Sequence, residues 1–118
     1  MSKDVDEDTV REVQDLMGEK YPNLVDTYLE SGRKHIEKLR ESYGANDVLA
    51  IARAAHPMKS SSGNMGLVAL AGYAHSLEHK AREMVDGDVT NIGVLEPFIT
   101  NVEVGFQKGE AFLKSLVV

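Results

Sequence analysis

Apolar residues return every three or four positions along almost the whole chain, the period of helices buried on one face. Val5, Val10, Val13, Leu16 and Met17 form a short first stripe, with Gly18 past its end. Pro22 stands where a helix start tolerates proline, because the N–H it lacks would be unpaired there anyway. A second stripe follows in Leu24, Val25, Tyr28, Leu29, Ile36, Leu39 and Tyr43, and Gly44 and Asn46 mark its stop and the next cap. The third begins near Asp47, with Val48, Ile51, Ala52, Ala55, Met58 and Ser62 inward, and Gly63-Asn64-Met65-Gly66 breaks it. The fourth carries Leu67, Leu70, Ala71, Ala74, Leu77, Ala81 and Met84, and Asp86-Gly87-Asp88 ends it. The fifth runs from about Asn91 to Leu116, with Leu95, Phe98, Ile99, Val102, Phe106 and Leu113 inward and Thr90 as its N-cap. Alternation of period two is nearly absent. The pattern predicts an all-α fold, an antiparallel up-down four-helix bundle with a short additional N-terminal helix. Short connections make sequential helices antiparallel neighbours. The 118 residues read as a single domain, 1–118. A chain of that length buries about two-thirds of its unfolded surface.

Charge narrows the function. A net charge of −6 without any basic run argues against nucleic acid as a partner. Four Tyr, three Phe and no Trp do not make a base-stacking platform. The lack of cysteine excludes disulfides and thiolate metal sites. No stretch approaches the ~20 apolar residues of a membrane span, so no membrane partner is expected. The N-terminus, Met1-Ser2-Lys3-Asp4-Val5-Asp6-Glu7-Asp8, lacks the apolar core of a secretory signal, and a cytoplasmic location is expected. Asp4 to Asp8 read as a solvated face or a frayed end. Neither a phosphate-binding glycine loop nor a nucleophile elbow is present, so the sequence does not support an autonomous enzyme.

Of the histidines His35, His56, His75 and His79, His56 stands out by its neighbours. It lies beside the inward stripe of the third helix, so one ring face reaches solvent. Lys59 follows one turn later on the same face. Ser60 and Gly63 are small and lie on the exposed side, where they let a second protein approach. A neutral imidazole is a competent nucleophile near neutral pH. Phosphoryl transfer asks mostly for positioning and charge neutralisation. Lys59 supplies a point charge for phosphate oxygens. The fourth helix supplies a group for the other ring nitrogen. With the hairpin midpoint near residues 65–67, positions 74–78 come level with His56, and His75, Glu78 and Arg82 share one stripe. A Glu78 carboxylate there accepts the imidazole N–H, and Arg82 adds a second positive charge.

His35 reads as an ordinary surface histidine. His75 and His79 have a spacing that can chelate a metal, but a zinc site needs three or four protein ligands. No glutamate–histidine motif recurs on the other helices. Asp86-Gly87-Asp88 lacks the twelve-residue ligand pattern of a calcium loop and reads as a turn.

Ala55-His56, then Met58-Lys59, the small cluster Ser61-Ser62-Gly63-Asn64 and Gly66 resemble the signature of histidine-containing phosphotransfer domains. Leu77-Glu78 and Ala81-Arg82 fit that family's following helix. The resemblance implies a free-standing phosphorelay intermediate. His56 would accept a phosphoryl group from the aspartyl-phosphate of a receiver domain in a hybrid sensor histidine kinase. It would then pass the group to the receiver of a response regulator. The resemblance also implies no ATP binding, no cofactor of the chain's own and Mg2+ supplied by the partner receiver. It gives Lys59 the screening of phosphate charge, Glu78 the orientation of the imidazole and Arg82 an auxiliary part. Glu78 matches a glutamate, and His75 a histidine, in the phosphotransfer domain of chemotaxis kinases. Ser60, Gly63 and His75 would belong to the docking surface, and a monomer is expected.

Two positions depart from the family pattern. Ser60 stands where glycine is usual, and Pro57 directly follows the histidine. Proline inside a helix removes a hydrogen bond at a cost of about 3 kcal/mol or more, and it biases the preceding residue away from helical dihedrals. A kink or a locally irregular turn is therefore expected at His56. Two rival readings remain: a bundle that binds a receiver, or another protein, without being phosphorylated, and a metal-binding bundle using His75 and His79.

Overall fold

The structure is a computed structural model that describes residues 4–117. Met1 to Lys3 and Val118, ends of the expected 1–118 unit and part of the N-terminal signal reading, lie outside the described residues. Helix α1 spans Glu7–Met17 and runs through a 3-10 turn, Gly18–Lys20, into α2, Tyr21–Gly44. Helices α3, Val48–Asn64, and α4, Val68–Asp86, follow. A second 3-10 turn, Ile92–Leu95, leads into α5, Glu96–Leu116. Among the described residues there is no strand. Helix α2 packs against α3 and α5, and α4 packs against the same two, which closes a four-helix ring in a molecule 47 × 25 × 19 Å in extent. No described helix is long and apolar enough to cross a membrane.

The stripes read from the sequence form the core. Leu29, Leu39, Ile51, Met58, Leu70, Leu77, Met84, Ile99 and Leu113 are fully buried. Burying a side chain of this size contributes roughly 1.5–3 kcal/mol. Helices α3 and α4 carry fully buried alanines, Ala52, Ala55, Ala74 and Ala81, whose small side chains permit close approach. Across that seam a longer side chain of one helix reaches the other. Asp47 caps α3 by accepting the Ala50 N–H at 3.0 Å. Tyr28 O–H and Ser62 Oγ, 2.7 Å apart, satisfy each other inside the bundle.

The turn between α3 and α4 also holds the N-terminal segment. The Asp6 N–H donates to the Gly66 carbonyl at 2.8 Å, and the Ala69 N–H donates to the Asp4 carbonyl at 3.1 Å. Gly66 has φ +84°, and a Cβ there would sit 2.6 Å from Val10 Cγ2 and 3.0 Å from the Asp6 carbonyl oxygen. The Asp6 side chain caps α1 by accepting the N–H groups of Asp8 and Thr9. The side chains of Glu7 and Asp8 are exposed, but the backbone of the segment is stitched to the turn rather than frayed.

Three further expectations change. Helix α5 starts at Glu96 rather than near Asn91, and Thr90 caps nothing. Pro97 marks the true start, because proline fits the first turn of a helix. Leu16 is 84% exposed, because α1 has the bundle on one side only and buries a narrow stripe centred on Val10. Helix α3 continues unbroken through Pro57 to Asn64, so the irregular turn does not form. The proline withholds the N–H that would bond the Arg53 carbonyl.

Candidate functional site

Helix α3 contributes His56 and Lys59, and α4 contributes Glu78 and Arg82. All four meet at the Glu78 carboxylate. His56 Nδ1 lies 2.9 Å from Glu78 Oε2, Arg82 Nε donates to the same oxygen at 2.8 Å, and Lys59 Nζ reaches Oε1 at 2.6 Å. The carboxylate is 7% exposed and the imidazole 62%, so a buried anion stands behind an open ring.

Electrostatics fix the roles of these atoms. Burial alone would raise the Glu78 carboxyl, but hydrogen bonds from Lys59, Arg82 and His56 outweigh it and hold it at about 2. Glu78 is therefore ionised at neutral pH, and an ionised carboxylate only accepts hydrogen bonds. His56 Nδ1 must carry the proton in that contact. In the neutral imidazole the lone pair then belongs to Nε2, for which no partner is found among the described residues. Two cations share one carboxylate, so the cluster keeps a net positive charge beside the free ring nitrogen.

The register read from the sequence placed positions 74–78 level with His56, and Glu78 is found there. Lys59 sits on Glu78 rather than free beside the ring. Ser60 is exposed, and a Cβ at Gly63 would meet only Ala71 Cβ at 3.9 Å, so both leave the α3 surface open. His75 is exposed and stacks on His79 with ring centroids 6.3 Å apart, and neither is bonded to His56. Among the described residues no three His, Asp or Glu side chains gather as a metal site. His35 lies on α2, 3.4 Å from Ser31 Oγ, and burial lowers its pKa. Arg53 went unnoticed in the sequence, although it stands one helical turn before His56 and is exposed.

An Hpt domain profile matches residues 23–103. The chain belongs to the Hpt domain family. The crystal structure of histidine-containing phosphotransfer protein B (HptB) from Pseudomonas aeruginosa PAO1 is similar over 98% of this chain and 95% of that one, with 30% identity and a TM-score of 0.83. No curated protein gave a match. As an Hpt domain the chain is a phosphotransfer intermediate of a phosphorelay rather than a conventional enzyme, and its partners are receiver domains of two-component signalling. The profile of the Hpt domain starts inside α2, whereas the likeness to HptB extends over nearly the whole chain.

Proposed function

We propose that this Hpt domain accepts a phosphoryl group on His56 Nε2 from the aspartyl-phosphate of a hybrid kinase's receiver and passes it to the receiver of a response regulator. The observation that carries this reading is the 2.9 Å contact of His56 Nδ1 with the ionised Glu78. It leaves the nucleophilic lone pair on the outward nitrogen. In the forward step Nε2 attacks phosphorus, an N–P bond forms, and the P–O bond to the aspartyl carboxylate breaks. The aspartate leaves with the electron pair. The ring becomes an imidazolium whose Nδ1–H stays on Glu78, so the carboxylate stabilises the charge that builds during attack. In the onward step an aspartate oxygen of the second receiver attacks phosphorus, and the N–P electrons return to Nε2.

Lys59 turns from Glu78 toward the phosphoryl oxygens once they arrive, while Arg82 stays on the carboxylate it would otherwise leave unbalanced. Ser60, Gly63 and His75 form part of the surface against which the receiver packs. No residue of the chain is assigned to a cofactor; the magnesium ion comes with the receiver, and ATP is consumed elsewhere in the relay. We place the protein in the cytoplasm as a monomer.

The test is incubation with a radiolabelled phosphoreceiver, with His56→Gln run alongside. Label that appears on the wild type, is lost in acid, survives base and is absent from the variant is the expected result. Clean receiver binding without label on the wild type would replace this reading with that of an interaction module.

A further inference from the structure

The acidic side chains are distributed unevenly. In a chain of net charge −6, α3 carries Arg53 and Lys59 and no Asp or Glu. From Val48 to Arg82 the sole carboxylate is Glu78, which is buried under Lys59 and Arg82. Around His56 the side chains of α3 and α4 therefore carry a positive balance, while the acids crowd α1, α2, α5, the end of α4 and the N-terminal segment at the α3–α4 turn. The cations around His56 are mostly committed. Lys59 and Arg82 hold Glu78, and Lys80 pairs with Glu83 at 3.1 Å. Arg53 differs: it is exposed, lies one turn from His56 on the same face and has no carboxylate partner among the described residues.

Resting on the function proposed above, we infer that Arg53 is a steering residue, which draws the carboxylate-rimmed, phosphoryl-bearing face of a receiver onto His56 and sets the rate of productive encounter. An aspartyl-phosphate is strongly anionic at neutral pH, and a cation not already neutralised acts on it at longer range than one held in an ion pair. Arg53 takes no part in the chemistry. It lies on the side of His56 away from Lys59, where it extends the positive field along α3 without competing for Glu78. A guanidinium also keeps its charge at any working pH.

The inference separates encounter from transfer. The experiment is single-turnover transfer from a receiver charged with acetyl phosphate, over a range of receiver concentrations, at about 0.01 M and about 1 M salt, where the Debye lengths are about 30 Å and 3 Å. Arg53→Ala should lower the second-order rate constant about three- to tenfold at low salt, the scale of a single steering charge, and leave the rate at saturating receiver unchanged. Arg53→Glu should lower it further, and Arg53→Lys should restore it. At high salt the variants should converge on the wild type. Lys108→Ala removes an equal charge from the exposed surface of α5 and should change nothing. Circular-dichroism melts confirm that each variant is folded. A fall in the saturating rate, or equal effects of Arg53→Ala and Lys108→Ala at low salt, would overturn the steering role while leaving His56 as phosphoacceptor. Absence of label on the wild type would remove both.

Discussion

His56 Nδ1 and Glu78 Oε2 lie 2.9 Å apart across the α3–α4 seam, and the ionised carboxylate decides which ring nitrogen holds the proton. A single buried side chain thus sets the tautomer of an open one.

Replacing Glu78 with Gln removes the charge while keeping the volume. Transfer to His56 should slow by about 10- to 100-fold, the scale of loss seen when a carboxylate that orients a metal-bound histidine is removed. Nitrogen-15 chemical shifts of the ring check the cause: the wild type should show the Nδ1–H form and the variant a mixture. An unchanged tautomer together with an unchanged rate would contradict the role given to Glu78.

Acid should expose the same residue through stability. The Glu78 carboxyl is held at about 2 in the folded protein against an ordinary 4.5. Its folded value is depressed, so its contribution is fully present above 4.5 and is lost as the pH falls toward 2. Urea midpoints measured down through that window should fall less steeply for Glu78→Gln than for the wild type. Parallel curves would show that the carboxylate contributes nothing to folding.

Gly66→Ala should destabilise the fold by about 1–2 kcal/mol or more. The left-handed backbone penalises a Cβ by that amount, and the contact at 2.6 Å to Val10 adds to it. Gly44→Ala is the control. A Cβ there meets nothing within 4 Å, and at this last residue of α2 alanine should be neutral or stabilising by less than the ~1 kcal/mol it gains in a helix interior. Thermal melts of both variants give the comparison, and limited proteolysis should find α1 released in the first and protected in the second.

Pro57→Ala should raise stability by about 1–3 kcal/mol, because it restores the N–H that the Arg53 carbonyl lacks in an otherwise continuous helix. Melting temperature measures this. Loss of transfer in a more stable Pro57→Ala protein would show that the proline shapes the site as well as the helix.

Much of this architecture was legible because helical burial repeats with a fixed period. Ile51, Ala52, Ala55 and Met58 were assigned inward from spacing, and all are buried. Counting back from the α3–α4 turn found the level of Glu78, since antiparallel helices rise at equal rates. Spacing says less where a helix has one neighbour. Leu16 fits the stripe of α1 and still faces solvent. Ala54 was left out of the α3 stripe, yet it is buried, because α3 has helices on two sides. The start of α5 was misplaced because Thr90 is a good cap in isolation, whereas Pro97 carried the stronger signal. Lys59 was assigned to phosphate alone. A list of charges cannot show that the buried Glu78 already occupies it; that takes the distance between two helices.

The stitch at Gly66 has a consequence for the order of assembly. Helix α1 precedes the other helices in this sequence, but the carbonyl of Gly66 and the N–H of Ala69 that hold its entry segment belong to the turn between α3 and α4. These two hydrogen bonds can form only once the α3–α4 turn is in place. The N-terminal segment thus fastens the closed end of the hairpin whose two helices carry His56 and Glu78.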